Sequence, residues 1–547
     1  MLEDVARAHP DRAFVVDQDT AHTYREVAAR ARRLARGLVA AGVGPGDRVA
    51  LVLPNGADFV AVRFAVALAG AVAAPVSFRL RAAELGEVLR QCRPAAIVTM
   101  ESFRDVDALD ALDQVLPGWD GPGTSVLPGL RVVVTAPAPG ASPRRPRLRT
   151  LETLELGPDT AVDAELAARA AAVSPADLAT IFFTSGTTGR PKGVLSTHEM
   201  ELRSAYGSAY TRGFEDGRRI FFALPLNHVF AYIEGLLAAM FVGGTVVVHQ
   251  VFDPVATLQA VERHQVGEAL FVPTMSLAVV DAARRTKADL SSLHSVMSAA
   301  QSAPARLWSD LYEVLGIEQC LTAYGMSETS AATTFTLPGG PIEDLVGTVG
   351  SPKLGGAAGA PELGGRLAEY KTVDPSTPED LPAGEEGELV ARGPIVTSGY
   401  FDQPSATAEA LLPGGWLRSG DLGYIRADGA LVLTGRSKDL YKCGGELVAP
   451  AEVEALITSL PQVAQAYVVG VPHPRMGEVG CAWVVPAGEE GVDAGAVLEH
   501  CRRGLARFKV PEHVLVTSAD DLPLTPSGKV QKYLLAERAV KELDLQV

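Results

Sequence analysis

Ten consecutive residues, Thr184 to Gly193, read TSGTTGRPKG and combine four hydroxyl side chains, three glycines and one lysine. Glycine lets a backbone bend sharply and bring its N–H groups against a ligand, and N–H groups together with hydroxyls cradle phosphate oxygens. Thr184, Ser185, Gly186, Thr187, Thr188 and Gly189 are therefore candidate phosphate contacts, with Lys192 adding a point charge. The spacing fails GxxxxGK(S/T), because Pro191 precedes the lysine and Gly193 follows it. A nucleotide enzyme outside the Walker class is expected.

Composition narrows the setting. The 547 residues carry a net charge of −16 with 47% apolar and 21% charged residues, which suits a soluble globular protein of several domains. That charge argues against a general nucleic-acid binder, which needs a basic surface. The five cysteines are scattered without CxxC or zinc-ligand spacing, so a reduced, cytoplasmic setting is expected. The N-terminal segment lacks the basic start and apolar run of a signal peptide. Val229 to Val248 is nearly all apolar, but Glu234 and Gly243-Gly244 interrupt it. It reads as a buried helix followed by a core strand, not as an integral membrane segment.

Elements that could position the loop follow from the apolar pattern. Strands are expected at Val49 to Leu53, Ala95 to Thr99, Val132 to Thr135, Ala179 to Thr184 and Thr245 to Val248, with helical patterns between most of them. Such alternation predicts βαβ units and mostly parallel sheets, an α/β class. GVGPGD (Gly42, Gly44, Gly46) mimics a dinucleotide fingerprint but precedes a strand, so it reads as a helix cap and turn. Residues 117 to 151, rich in Pro and Gly, read as an irregular excursion. Short strands between glycine turns, such as Gly387 to Ala391 and Leu431 to Leu433, mark a β-rich subdomain. A compact block follows Gly435. The expected division is 1–436 for a large N-terminal domain and 437–547 for a small mobile α+β domain.

Four further segments follow the loop in order: TAYGMSET (Thr322 to Thr329), Ser419-Gly420-Asp421, TGRSKD (Thr434 to Asp439) and LTPSGK (Leu524 to Lys529). Jointly this set resembles the adenylate-forming superfamily of acyl- and aryl-CoA synthetases, amino-acid adenylation domains and firefly-type luciferases, over about residues 10 to 540. The resemblance implies that a carboxylate attacks the α-phosphate of ATP, giving acyl adenylate and pyrophosphate, before the acyl group passes to a thiol. Charge accumulating on phosphate oxygens calls for preorganised donors and cations. By that analogy the Thr184 to Gly189 loop and Lys192 hold the β- and γ-phosphates, and Glu328 ligates Mg²⁺ with Thr184 nearby. Tyr324 stacks on adenine within Ala323, Tyr324, Gly325, Met326 and Ser327, Asp421 accepts from both ribose hydroxyls, and Arg436 contacts the ribose or α-phosphate. Lys529 is the expected catalytic lysine. Lys438 is the expected hinge, and Lys442, Gly444 and Gly445 would line the coenzyme A tunnel after domain rotation.

His228 matches a gate between acyl pocket and ATP site, although Asn227 stands where relatives place an aromatic residue. The acid pocket is expected to draw on His228, Val229, Met275, Ala299, Ala300, Gly325 and Met326, small or adaptable residues without a lysine or arginine. A hydrophobic monocarboxylate, whether fatty, aryl or bulky cyclic, is implied, and a dicarboxylate lacks its counter-charge. Ala300, Gln301 and Ser302 are expected to face adenine or a substrate hydroxyl. HEMEL at His198 lacks the second zincin histidine, and GMSET lacks the second glycine of a nucleophile elbow. Transfer to the phosphopantetheine of an acyl carrier protein is the alternative to free coenzyme A, with residues 354–365 as the segment in question. A non-catalytic adenylate-binding protein is the alternative of another class. The oligomeric state, a homodimer among the options, is left open by the sequence.

Overall fold

The computed structural model describes all residues except 122–123, 138–142, 146–147, 185–190, 302, 437, 489–490, 526–527 and 546–547. Two seven-stranded sheets form the N-terminal part. In one, Arg48–Val52 lies between Val72–Pro75 and Ala96–Met100, all parallel. Leu178–Thr184 joins parallel to Val72–Pro75 and is edged by the antiparallel Lys192–Thr197. The other sheet aligns Ala13–Asp17, Thr245–Val248, Arg219–Phe222, Glu268–Phe271, Ser295–Ser298 and Gln319–Leu321 in parallel. Parallel strands covered on both faces need continuous apolar runs, and Val49, Ala50 and Leu51 are fully buried. The expected strands appear with ends displaced by up to three residues.

Local chemistry sets the helices. Thr23 and Glu26 form a reciprocal capping box that starts Tyr24–Ala40. Gly42 and Gly46 have φ of 86° and 74°, and Val43 N–H donates to Leu38 C=O, so GVGPGD is indeed a cap and turn. The apolar stretch after His228 is helical and then β, but its first part, Phe230–Leu237, is a π-helix. Side chains anchor this helix on two sides. The Glu234 carbonyl accepts from Arg212 Nη1 (2.8 Å), and Glu234 Oε1 accepts from Ala332 N (3.1 Å). Arg212 also binds Glu268, while Lys353 Nζ donates to Ser204 O, Ser204 Oγ and Ser208 Oγ at 2.8–2.9 Å and sits 3.9 Å from Glu234. On the helix's other side Arg63 pairs with Glu201 (3.1 Å) and lies over the Tyr232 ring. No described helix is long and apolar enough to cross a membrane.

Beyond residue 366 the strands become antiparallel: Glu369–Val373, Gly387–Arg392, Trp416–Ile425 and Leu431–Arg436. The 354–365 segment is a loop holding the 3₁₀ turns Gly356–Ala358 and Pro361–Leu363, closed by bridges of Leu354 and Ala360 to Arg366. The small C-terminal part builds its own core, with Trp483, Val468, Val497 and Leu535 fully buried. Its sheet is mostly antiparallel, with His513–Val516 added parallel to Gly477–Pro486. It touches the larger part through Gln301 Nε2, which donates to Gly528 O (3.2 Å), and Arg306 Nη1, which donates to Pro461 O (3.3 Å).

Candidate functional site

The phosphate-loop candidates begin at the tip of a hairpin. Thr184 ends Leu178–Thr184, Lys192 starts the antiparallel Lys192–Thr197, and the two are register partners. Ser185, Gly186, Thr187, Thr188 and Gly189 lie outside the described residues, as does Ser302. Lys192 Nζ stands over the Tyr400 ring, 4.7 Å from its centroid.

A second hairpin, Ala323–Met326 with Ala331–Phe335, presents the TAYGMSET residues. Only glycine fits at 325, since a Cβ there would lie 1.8 Å from Ala331 O. The 3₁₀ turn Ser327–Thr329 carries Glu328, and Ser330 and Ala331 after it hold positive φ values of 52° and 71°. Such backbone strain persists where surrounding contacts over-determine it. Here Thr397 N donates to Glu328 O (2.7 Å) and Ser330 Oγ to Ile395 O (3.0 Å). Glu328 Oε1 accepts from Tyr400 Oη at 3.0 Å, whereas Oε2 takes no hydrogen bond from a described residue. One open carboxylate oxygen suits a hard divalent cation that keeps waters and substrate phosphates as its other ligands. Among the described residues no group of three His, Cys, Asp or Glu forms a protein cage.

Asp421 is buried and doubly engaged. Tyr324 Oη donates to Oδ2 (2.6 Å), and Arg436 Nε pairs with Oδ1 (2.9 Å). Asp421 and Arg436 are register partners across adjacent strands, so the pairing is built into the sheet. The Asp421 charge raises the Arg436 pKa, while burial and the same charge push the Tyr324 phenol well above its usual range. A ribose would therefore share Asp421 with two protein donors.

The C-terminal part delivers Lys529 to these groups. Thr525 N donates to Lys529 O (2.7 Å) and Lys529 N to Thr525 Oγ1 (3.0 Å), and Gly528 before the lysine holds φ +82°. Burial and repulsion by Arg436 lower the Lys529 pKa to about 8, against the opposing pull of Asp421 and Glu328. His228 is close enough to feel Lys529, and burial with that charge pushes it down to about 3. Its imidazole is neutral, with Nδ1 accepting from Phe230 N (3.3 Å). Asn55 fixes the His228 loop, donating to Leu224 O and His249 O and accepting from Leu226 N.

The remaining candidates fall into two sets. Val229 and Ala299 are buried and Met275, Gly325 and Met326 half-buried, whereas Ala300 is exposed at φ +77°. Gln301 spends its amide on the Gly528 carbonyl. Lys442, Gly444 and Gly445 form the exposed tip of the hairpin Tyr441–Cys443 with Glu446–Val448. Its described hydrogen bonds, Lys442 N to Glu478 and Gly444 N to Met476 O, stay within the C-terminal part. This domain arrangement thus gathers Lys529, His228, Glu328, Asp421 and Arg436 and leaves the glycine hairpin aside. Lys438 is exposed in the turn after Arg436. Tyr400 and Asn55 are the residues that sequence reasoning missed, for neither lies in a motif with a recognisable spacing.

Comparison with known proteins identifies the family. The AMP-binding enzyme family model matches residues 2–401, and the model of the AMP-binding enzyme C-terminal domain matches residues 452–529. The chain is 35% identical to a feruloyl-CoA synthase of Amycolatopsis sp., covering 96% of each chain. It is 31% identical to a medium-chain fatty-acid–CoA ligase of Escherichia coli, covering 100% of this chain and 91% of that one. Among solved structures, ATP-bound MatB from Rhodopseudomonas palustris superposes with a TM-score of 0.80 at 27% identity, over 98% of this chain and 99% of that one. With its two family models matched in order along the chain and relatives above 30% identity over nearly its full length, the chain belongs to the AMP-binding enzyme family and so to the adenylate-forming superfamily.

Proposed function

We propose that this enzyme is an AMP-forming acid–CoA ligase that activates a hydrophobic monocarboxylic acid and passes it to coenzyme A. The convergence of Lys529 on Glu328, Asp421 and Arg436 carries the reading, because it sets a cation of the C-terminal part against fixed charges of the N-terminal part. Lys529, as the ammonium, bridges the attacking carboxylate and the α-phosphate, lowering charge repulsion and fixing the line of attack. Arg436 and Lys192 hold phosphate oxygens, Asp421 and Tyr324 the nucleoside, and Glu328 with Thr184 the Mg²⁺ that neutralises the triphosphate. Neutral His228 separates acid from nucleotide without adding a charge. The domain division at 436/437, with Lys438 as hinge, then lets the Lys442–Gly445 hairpin approach for thiol transfer.

Two observations support the choice of acid and acceptor. The proposed pocket wall is apolar, and the cations behind the π-helix, Arg212 and Lys353, are already occupied by Glu268, Glu234 and serine oxygens. Relatives named as a feruloyl-CoA synthase and a medium-chain fatty-acid–CoA ligase support the same choice. For the acceptor, a surface cleft of about 580 Å³ opens beside His249, the residue that Asn55 ties to the His228 loop. It is lined by Arg104 and by Arg263, which pairs with Asp19, and Arg104 repels the nearby Arg79, whose charge Asp105 offsets in part. Arginines at such a cleft suit the phosphorylated nucleotide end of coenzyme A. Mass spectrometry of products from ATP, Mg²⁺ and a pooled acid panel, with coenzyme A or pantetheine as acceptor, tests the reading. Acyl-CoA from fatty, aryl or polycyclic acids is expected, with pantetheine the poorer acceptor. Acyl adenylate accumulating without thioester would instead favour a carrier-protein acceptor.

A further inference from the structure

The segment around Tyr400 touches both ends of the proposed triphosphate site. Its backbone runs beside the strand after the phosphate loop: Leu195 N donates to Gly399 O (3.1 Å) and Phe401 N to Gly193 O (2.7 Å). Val194 and Tyr400 form a β-bridge, and Gln403 Nε2 donates to Pro191 O (3.1 Å). The same segment grips the Glu328 turn, since Thr397 donates its N–H to Glu328 O (2.7 Å) and its hydroxyl to Leu195 O (2.7 Å). Between these anchors stands one buried side chain, Tyr400. Its hydroxyl donates to Glu328 Oε1 at 3.0 Å, and Lys192 Nζ lies 4.7 Å from the centre of its ring.

We infer that Tyr400 is a positioning residue that holds Glu328 as a metal ligand and Lys192 as a phosphate cation while keeping the two from pairing with each other. This rests on the roles given above to Glu328 and Lys192. The chemistry lies in what a neutral phenol does that a cation cannot. It orients one carboxylate oxygen by a hydrogen bond and leaves the negative charge for a divalent ion, with the second oxygen open. The ring face meanwhile offers Lys192 an electrostatic resting place that is not a carboxylate. A direct Lys192–Glu328 pair would cancel both charges before ATP arrives.

Mn²⁺ binding in the presence of a non-hydrolysable ATP analogue, followed by the electron paramagnetic resonance of free Mn²⁺, reads the metal site without turnover. Tyr400→Phe keeps the ring and loses the donor. It is expected to weaken Mn²⁺ about three- to tenfold, the net worth of one ordinary hydrogen bond, because the bond to Glu328 is made before as well as after the metal binds. Tyr400→Leu also loses the ring. It should additionally raise KM for ATP at saturating Mg²⁺ by about fivefold or more, a change not expected in Tyr400→Phe. Unchanged Mn²⁺ affinity in Tyr400→Phe, or an equal fall of kcat in both variants with no change in Mn²⁺ or ATP constants, overturns the proposal. Glu328→Gln separates the two levels of argument. If it too leaves Mn²⁺ affinity unchanged, the metal-ligand reading has failed. If it weakens Mn²⁺ while Tyr400→Phe does not, only the role of Tyr400 has.

Discussion

Lys529 offers a direct test, because its protonation is linked to nucleotide binding. Burial and Arg436 lower its pKa to about 8 in the free enzyme. Bound triphosphate adds negative charge beside the ammonium and restores its ordinary basicity, so the complex holds the proton across the accessible pH range. The sign follows: binding takes up protons, and affinity is lost as pH rises through about 8. At pH 8.5 a group of pKa about 8 is roughly three-quarters deprotonated, so about 0.75 proton should be taken up per nucleotide, against about 0.1 at pH 7. Between pH 8 and 9.5 the same linkage weakens binding by roughly 15-fold. Calorimetry of a Mg²⁺ complex of a non-hydrolysable ATP analogue, in buffers of differing ionisation enthalpy, measures the uptake. Lys529→Ala should abolish it and slow adenylate formation by about 10²- to 10³-fold, while thioester formation from supplied acyl adenylate continues. Equal proton uptake in the wild type and the alanine variant at pH 8.5 would refute the reasoning, and comparable losses in both half-reactions would sink the division of labour.

Three further outcomes follow from other contacts. Gln301→Ala removes a hydrogen bond between the two parts, so adenylate formation should slow about two- to fivefold while thioester formation is unimpaired or faster in stopped-flow half-reactions. Lys438→Pro should leave adenylation near normal and slow thioester formation at least tenfold, and unaffected thioesterification would reject the hinge. Glu234→Leu leaves Lys353 buried beside Arg212 without its carboxylate and should cost about 3 kcal/mol in urea unfolding. Adding Lys353→Met should recover much of that loss, and simple additivity of the two changes would argue against coupling.

Local chemistry was legible in the sequence wherever a motif is contiguous. Thr184, Lys192, Glu328, Asp421, Arg436 and Lys529 each sit in a short run, and it is the resemblance those runs carry that implies phosphate, ribose or metal for them, while parallel strands announce themselves as apolar runs. Contacts between distant segments were not legible. Tyr400 reaches Glu328 across 72 residues, and no spacing rule links them. The same holds for Asn55 with the His228 loop and for Lys353 with Glu234. Phe230–Leu237 read as an ordinary buried helix because a segment buried on every face has no amphipathic period to separate α from π. Gln301 was expected to face the ligand, and its bond to Gly528 depends on where a separate unit docks.

The cysteines have a consequence for an enzyme whose second substrate is a thiol. All five are buried, and burial pushes Cys92, Cys320 and Cys481 up to about 12 and Cys501 up to about 11. Cys443, in the hairpin proposed to meet the incoming thiol, is raised as well. Only a thiolate attacks an activated acyl group or a disulfide. Keeping these sulfurs protonated and covered stops the protein from acylating itself and from forming mixed disulfides with oxidised acceptor, so the sole competent sulfur nucleophile at the acyl adenylate is the one that diffuses in.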